Sequence, residues 1–152
     1  MSSGMKDAGH REAVRAALDF ESCGRTPVNN FAVVTAARYA GITVDAARWT
    51  PSVSAKVAVD YAMATESDFV KPVLDSQVPL KDMGMTVRFP EDDYGSVPGH
   101  IVDGPEDIDK LHIFDPDNAS ECPGFTSIRE ALACTASILP EDLHICGLSW
   151  GP

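Results

Sequence analysis

Apolar side chains recur at helical spacing in several stretches of the chain. Residues 11–20 carry one apolar stripe, and residues 31–39 are apolar with a helical tendency. A third helix is expected to be capped by Ser52 or Ser54. Its apolar face would hold Val53, Val57, Tyr61 and Ala64. Residues 127–130 fit a capping box, which predicts the start of a further helix.

Short apolar runs between these helices predict strands. Residues 69–74 hold two valines and end at Asp75, which is typical of a buried parallel strand. Residues 143–148 predict a final strand. Residues 85–89 alternate weakly between apolar and polar side chains, which is consistent with a further strand that is exposed. A helix is also expected near residues 103–111, with Ile108 and Leu111 on its buried side. Strands separated by helices indicate an α/β fold with parallel pairing.

Composition and charge narrow the classes of partner. The chain has 152 residues, enough for one domain, and its 23 acidic against 12 basic residues give a net charge of −11. Such a field repels phosphate backbones and anionic lipid, so neither nucleic acid nor a membrane surface is an expected partner. Residues 1–10 are polar and lack the apolar core of a secretion signal. We therefore expect a flexible tail over residues 1–10, a domain over 11–152, a cytoplasmic location and reduced cysteines.

Several segments, taken in order, resemble those of one known enzyme superfamily. They are residues 11–18, 25–28, 37–43, 84–92, 103–111, 115–117 and 148–152. The segment 84–92 reads GMTVRFPED and is similar to the hairpin G-x-x-V-R-F-P-E-D of the uroporphyrinogen decarboxylase superfamily. The resemblance implies a (β/α)8 TIM-type barrel. Because such barrels typically need about 250 residues, the chain is expected to be the N-terminal portion of one, and incomplete.

The resemblance leaves two activities open. The decarboxylase branch, which needs no cofactor, carries Arg-Gln-Ala-Gly-Arg after its Pro-Val, and those arginines bind substrate carboxylates. Here Pro27-Val28 is followed by no arginine before Arg38, a weak candidate for substrate binding. This favours the methylcobamide:coenzyme M methyltransferase branch. The implied reaction is corrinoid-dependent methyl transfer to a thiol such as coenzyme M, with a corrinoid protein or a small molecule as partner; tetrapyrrole decarboxylation is the alternative.

Asp75 is the first candidate for a catalytic and substrate-binding residue. It follows a predicted strand, at the end where barrel enzymes place catalytic side chains. By resemblance it falls at the position of the family's active-site aspartate, which in decarboxylases holds the pyrrole N–H groups of the substrate. The alternative is a structural aspartate that caps the next turn through its side chain.

His144 and Cys146 are the candidates for metal binding. Alternation along a strand places both on one face. The resemblance implies zinc in the methyltransferase branch, bound by a His-x-Cys pair and a distant Cys, where it would activate the thiol acceptor. However, the family's pair lies later in the barrel than residues 144–146. Zinc is therefore expected in a full-length enzyme. If zinc binds at residues 144–146, His112 and Cys122 are the candidates for further ligands. Otherwise His144 is a strand-end histidine and Cys146 is a core cysteine.

A third hypothesis concerns a protein of another class. A short chain with part of a barrel is also consistent with a non-catalytic remnant or an accessory domain that depends on a partner. An open barrel leaves unpaired backbone groups on its outer strands, so this hypothesis predicts self-association through those edges. Under any of the three hypotheses, the 152-residue chain alone is expected to be inactive.

Overall fold

The structure, a computed structural model, describes residues 9–72, 75–115 and 117–147. In chain order the elements are α1 (His10–Leu18), α2 (Val34–Tyr39), α3 (Val44–Trp49), α4 (Pro51–Ala64), β1 (Phe69–Val70), α5 (Val78–Asp82), a 3-10 helix (Pro105–Lys110), α6 (Pro123–Ile138) and β2 (His144–Ile145). The two strands pair in parallel, with Phe69 opposite His144 and Val70 opposite Ile145. The predicted mixture of helices with parallel strands is therefore confirmed.

Helix α4 is the centre of the core. It packs against α2, α3, α6 and β1. Most of its buried side chains are small, which lets neighbouring elements approach closely; they are Ser54, Ala55, Val57, Ala58, Val59 and Ala62. Across from it, Val70 of β1 and Leu143 just before β2 are buried in the same cluster. The sheet is thus fixed by packing on α4 as well as by its own hydrogen bonds.

Two predicted helix starts are wrong. Helix α4 begins at Pro51 rather than after a serine cap, and Ser54 is buried inside it. Helix α6 begins at Pro123, so residues 127–130 lie within the helix and form no capping box at its start. The cap of α6 comes from α5 instead: the Asp82 carboxylate accepts hydrogen bonds from Gly124 N (3.2 Å) and Phe125 N (2.7 Å).

Helix α1 is capped in the same way by a residue far away in the chain. The carboxylate of Asp142 accepts hydrogen bonds from His10 N (2.9 Å) and Arg11 N (3.3 Å), across 132 and 131 positions of sequence. The Arg11 guanidinium also donates to Leu143 O at 3.2 Å. His10, expected in the tail, is therefore the first residue of α1 and is held by the segment before β2.

Other elements differ from the sequence expectations. Residues 85–89 form only an isolated antiparallel bridge, Arg88 to Ser96. The helix near residue 105 is a 3-10 helix without buried residues, and Ile108 is 63% exposed, so the predicted burial there is wrong. The predicted strands begin near the expected positions but are short, and residues 73, 74 and 148 lie outside the described residues.

Two findings concern the expectations taken from composition. None of the helices in the described ranges is long and apolar enough to cross a bilayer. The four cysteines, Cys23, Cys122, Cys134 and Cys146, form no disulfide with one another in the structure, and their reduced state in the cell stays a prediction.

The close contact between α5 and α6 predicts the effect of one substitution. A Cβ at Gly124 would lie 2.6 Å from Val78 Cγ1 and 2.8 Å from Val78 O. Because a backbone oxygen cannot move aside cheaply, Gly124→Ala should lower the free energy of unfolding by about 1–2 kcal/mol in urea titrations, after the gain in helix propensity. A Cβ at Gly99 meets nothing within 4 Å, so Gly99→Ala is the control. Equal stability of both variants would contradict the tight packing.

Candidate functional site

Asp75 forms a buried ion pair with Arg48. Arg48 Nε donates to Asp75 Oδ2 at 3.0 Å, and both side chains are 0% exposed. The same oxygen accepts a hydrogen bond from Gly95 N at 2.6 Å, and Oδ1 accepts one from Gln77 N at 3.0 Å. The carboxylate is therefore paired with a cation, and both of its oxygens are engaged by donors within the protein.

The Arg48 guanidinium joins α3 to the acidic segment 89–95. Nη1 donates to Asp45 Oδ1 (2.8 Å) and to Pro90 O (3.1 Å), and Nη2 donates to Asp93 O (2.5 Å). The guanidinium carbon also lies 4.9 Å from the centre of the Phe89 ring. Arg48 and Asp75 together hold this segment against the chain that follows β1.

Asp75 also shapes its own turn. Its side chain accepts from Gln77 N, and its carbonyl accepts from Val78 N at 3.0 Å, at the start of α5. This is the side-chain cap considered as the alternative from the sequence, and the structure confirms it. The contacts give Asp75 a positioning role; contact with a substrate stays a prediction.

The cation beside Asp75 is Arg48, a residue that the sequence analysis did not single out, and not Arg38, the weak candidate for substrate binding. Arg38 is exposed in the last turn of α2, whereas the partner of Asp75 is Arg48. A signal for Arg48 was present: Val44, Ala47 and Arg48 have the spacing of one helical face, and all three are buried. An arginine on an otherwise apolar helical face indicates a buried acidic partner.

A second buried carboxylate, Asp68, lies directly before β1. Its side chain is 0% exposed, and it accepts two hydrogen bonds from the Arg25 guanidinium, one from Val28 N (2.6 Å) and one from His10 Nδ1 (2.8 Å). Burial raises the pKa of Asp68, but the hydrogen bonds from Arg25, Val28 and His10 outweigh it and hold the pKa at about 2. Asp68 lies at the amino end of the strand, where barrels place stabilising rather than catalytic residues.

His144 and Cys146 lie on and just after β2. Cys146 N donates to Val70 O at 2.9 Å, and Asn29 Nδ2 donates to Cys146 Sγ at 3.4 Å. His144 Nε2 is buried and, among the residues that the structure describes, has no hydrogen-bond partner. Those residues contain no group of three His, Cys, Asp or Glu arranged to hold a metal ion, so neither His112 nor Cys122 joins the pair. Zinc binding by His144 and Cys146 stays a prediction.

A cleft of about 340 Å³ opens beside the residue that follows β1. Lys71 lines this cleft, and its Nζ lies 3.2 Å from the centre of the Phe31 ring. The other lining residues are Ala32, Val33, Val34, Thr35, Ser76 and Tyr94. Burial lowers the pKa of Lys71, and burial together with the charges of Asp75 and Asp93 raises the pKa of Tyr94. Sequence reasoning missed this cleft because Lys71 falls inside a predicted strand.

Comparison with known proteins gives the family. No curated protein matched the chain. Among solved structures, a methyltransferase from Methanosarcina mazei is similar, with a TM-score of 0.70, 20% sequence identity, and coverage of 90% of this chain and 41% of that one. The chain thus spans less than half the length of that structure, and the likeness shows a shared fold. The model of the family "Uroporphyrinogen decarboxylase (URO-D)" matches residues 10–152. The chain therefore belongs to the uroporphyrinogen decarboxylase family, within a TIM-barrel superfamily.

Proposed function

We propose that the chain is the N-terminal portion of a (β/α)8 barrel whose full-length enzyme transfers a methyl group from a corrinoid protein to a thiol such as coenzyme M. The similarity to a methyltransferase, of which this chain covers 41%, supports both the partial barrel and the reaction class. Two parallel strands with helices before and between them are consistent with the beginning of such a barrel.

The engagement of Asp75 is the observation that carries the choice between the two branches. In a decarboxylase, the resemblance implies that this carboxylate receives the pyrrole N–H groups of the substrate. Here Arg48, Gly95 N and Gln77 N already donate to it, and its side chain is 0% exposed. A tetrapyrrole would have to displace these donors and leave Arg48 without its partner, at a large cost. This favours methyl transfer over decarboxylation.

The residues of this chain have distinct roles in the proposal. Asp75 and Arg48 position the segment that follows β1 and exclude water from their own contact, rather than reacting with substrate. Zinc, when bound in a full-length enzyme, would lower the pKa of the thiol acceptor. His144 and Cys146 supply two donors, and a tetrahedral site needs four, so the described residues do not complete one. We assign no step of the reaction to zinc held by this chain.

Open strand edges keep the accessory-domain hypothesis as a second candidate. The sheet of the described residues has two strands, so β1 and β2 each have one edge without a strand partner. Such edges favour pairing with another chain. Analytical ultracentrifugation, which measures self-association, separates the accessory-domain hypothesis from the methyltransferase hypothesis, because an accessory domain of this kind is expected to self-associate or to require a partner.

The test begins with two measurements: the mass of the native protein is determined, and the DNA beyond codon 152 is sequenced. The native protein is then assayed with methylcobalamin and coenzyme M, and in parallel with uroporphyrinogen. The proposal predicts methylated thiol and no decarboxylated tetrapyrrole. Decarboxylation alone would contradict it. The absence of both activities in a protein of native mass, together with self-association, would favour the accessory domain.

A further inference from the structure

We propose that the native protein forms a two-fold dimer in which Phe20 of each copy enters a surface cavity of the other copy. Phe20 follows α1 and is 98% exposed, and Leu18, two positions earlier, is 73% exposed. We call the surface formed by residues 11–27 the α1 surface. The inference concerns an interface between copies of the chain, so it does not depend on the reaction proposed above.

The backbone at Phe20 adopts a conformation that a phenylalanine rarely takes. Its φ is 59°, in the left-handed region that is unfavourable for bulky side chains. Glu21 N donates to Ala16 O at 2.7 Å, and Phe20 N donates to Ala17 O at 3.4 Å. Helix α1 therefore ends in a Schellman motif, with Phe20 at the position that glycine usually holds. Because the side chain is 98% exposed, packing within the described part of the chain does not offset this strain, which points to a contact outside it.

A cavity that can receive an aromatic ring lies on the same surface. It has a volume of about 510 Å³ and is lined by residues 20–27 together with Ala17 of α1. Cys23 and Pro27 supply apolar parts of its wall. Because Phe20 lies at this cavity, a two-fold axis beside it brings each ring to the cavity of the other copy. One surface thus supplies both the ring and the cavity, which is the property that a two-fold interface requires.

The charge of the α1 surface favours a second copy as the occupant. Residues 11–27 hold three arginines and three acidic residues, so they carry no net charge, and the net charge of −11 comes from the other positions of the chain. Arg15 and Asp19 are both exposed, so each copy offers both signs of charge to the other. Two copies can therefore meet at this surface without the like-charge repulsion that the acidic remainder of the chain would cause.

The contact is small, so the dimer should be weak. An aromatic side chain buries about 150–250 Å² when it is covered. The two Phe20 rings and their surroundings then give an interface below the roughly 1,200 Å² of a stable complex. We expect a dissociation constant on the order of 100 μM.

Sedimentation equilibrium of the native protein between about 10 μM and 1 mM measures the association. A monomer–dimer equilibrium should appear, and Phe20→Gly should weaken it at least about tenfold because the inserted ring is lost. The same variant should raise the urea midpoint measured at low protein concentration, since glycine adopts the left-handed conformation without strain. A loss of association together with a gain in stability is the result that the proposal predicts. A native protein that stays monomeric at about 1 mM would overturn it.

Two further variants separate Phe20 from other routes to association. Phe20→Asn keeps a side chain that tolerates the left-handed conformation, and it should weaken the dimer as Phe20→Gly does. Ile113→Asn is the control: it removes an apolar side chain that is 92% exposed in another segment, and it should leave the dimer unchanged. Pairing through the open edges of β1 and β2 does not involve Phe20. Association of undiminished strength in Phe20→Gly would therefore overturn the proposal and point to those edges.

A photo-reactive phenylalanine analogue locates the contact. Phe20 is replaced with p-benzoylphenylalanine, and a mixture of chains labelled with nitrogen-14 and nitrogen-15 is illuminated. Mass spectrometry should find cross-links from position 20 of one copy to residues 23–27 of the other copy. Cross-links confined to single chains, or directed to another surface of the second copy, would contradict the proposed interface.

Discussion

Replacing Arg48 with methionine is expected to lower the free energy of unfolding by about 3–5 kcal/mol. The substitution keeps most of the side-chain volume but leaves the Asp75 carboxylate, which is 0% exposed, without its cation. It also removes the donors to Pro90 O and Asp93 O, which tie segment 89–95 to α3. Urea denaturation followed by circular dichroism measures the change.

Two further variants separate the ion pair from general effects of losing an arginine. Arg38→Met removes an exposed arginine from α2 and should change stability by less than about 0.5 kcal/mol. The double variant Arg48→Met with Asp75→Leu removes both charges and should recover part of the loss, because no unpaired buried charge remains. A single variant as stable as the parent chain would show that Asp75 is not held by Arg48.

Asp68→Asn is expected to cost about 3 kcal/mol of unfolding free energy near neutral pH. An amide in this position accepts fewer of the hydrogen bonds from Arg25, Val28 N and His10, and its own NH₂ group would face the guanidinium. Since Asp68 is 0% exposed, water cannot replace the lost partners.

The pH dependence of the unfolding free energy tests the role of Asp68 separately. The pKa of Asp68 falls from 3.8 to about 2 on folding, so its contribution is fully present above about pH 4 and is lost as the pH falls through 2. The parent chain should therefore lose about 2 kcal/mol more than Asp68→Asn between pH 5 and 2. The control is Asp60→Asn, whose exposed ion pair with Lys56 contributes less than about 1 kcal/mol. Parallel pH profiles of the parent and Asp68→Asn would contradict the assignment.

Long, regular segments of the fold could be predicted from the sequence, and short ones could not. Helices α1 and α4 show an apolar stripe over several turns, and the sequence pattern locates both. Helices α3 and α5 have 6 and 5 residues, fewer than two turns, so a helical spacing occurs in them at most once and does not stand out from the surrounding sequence. The start of α6 was misplaced because its cap, Asp82, belongs to another helix, and no local pattern reports such a contact.

The candidate site was predictable only in part, for a similar reason. Asp75 stood out because it follows an apolar run, which is a local feature. Its partner Arg48 lies 27 positions earlier, on a helix that the sequence did not predict. Lys71 was overlooked because it lies inside the predicted strand over residues 69–74, and the cleft beside it is lined by segments that are far apart in the chain.

The capping of α1 by Asp142 has a consequence for how the protein folds during synthesis. Helix α1 leaves the ribosome early, but the carboxylate that receives its first N–H groups is made 132 positions later. At about 5–20 residues per second, that delay is on the order of ten seconds. A helix of 9 residues is marginal on its own, so α1 is expected to remain largely unformed in the nascent chain. Its apolar stripe is then accessible to chaperones until the segment before β2 has left the ribosome and Asp142 caps the helix.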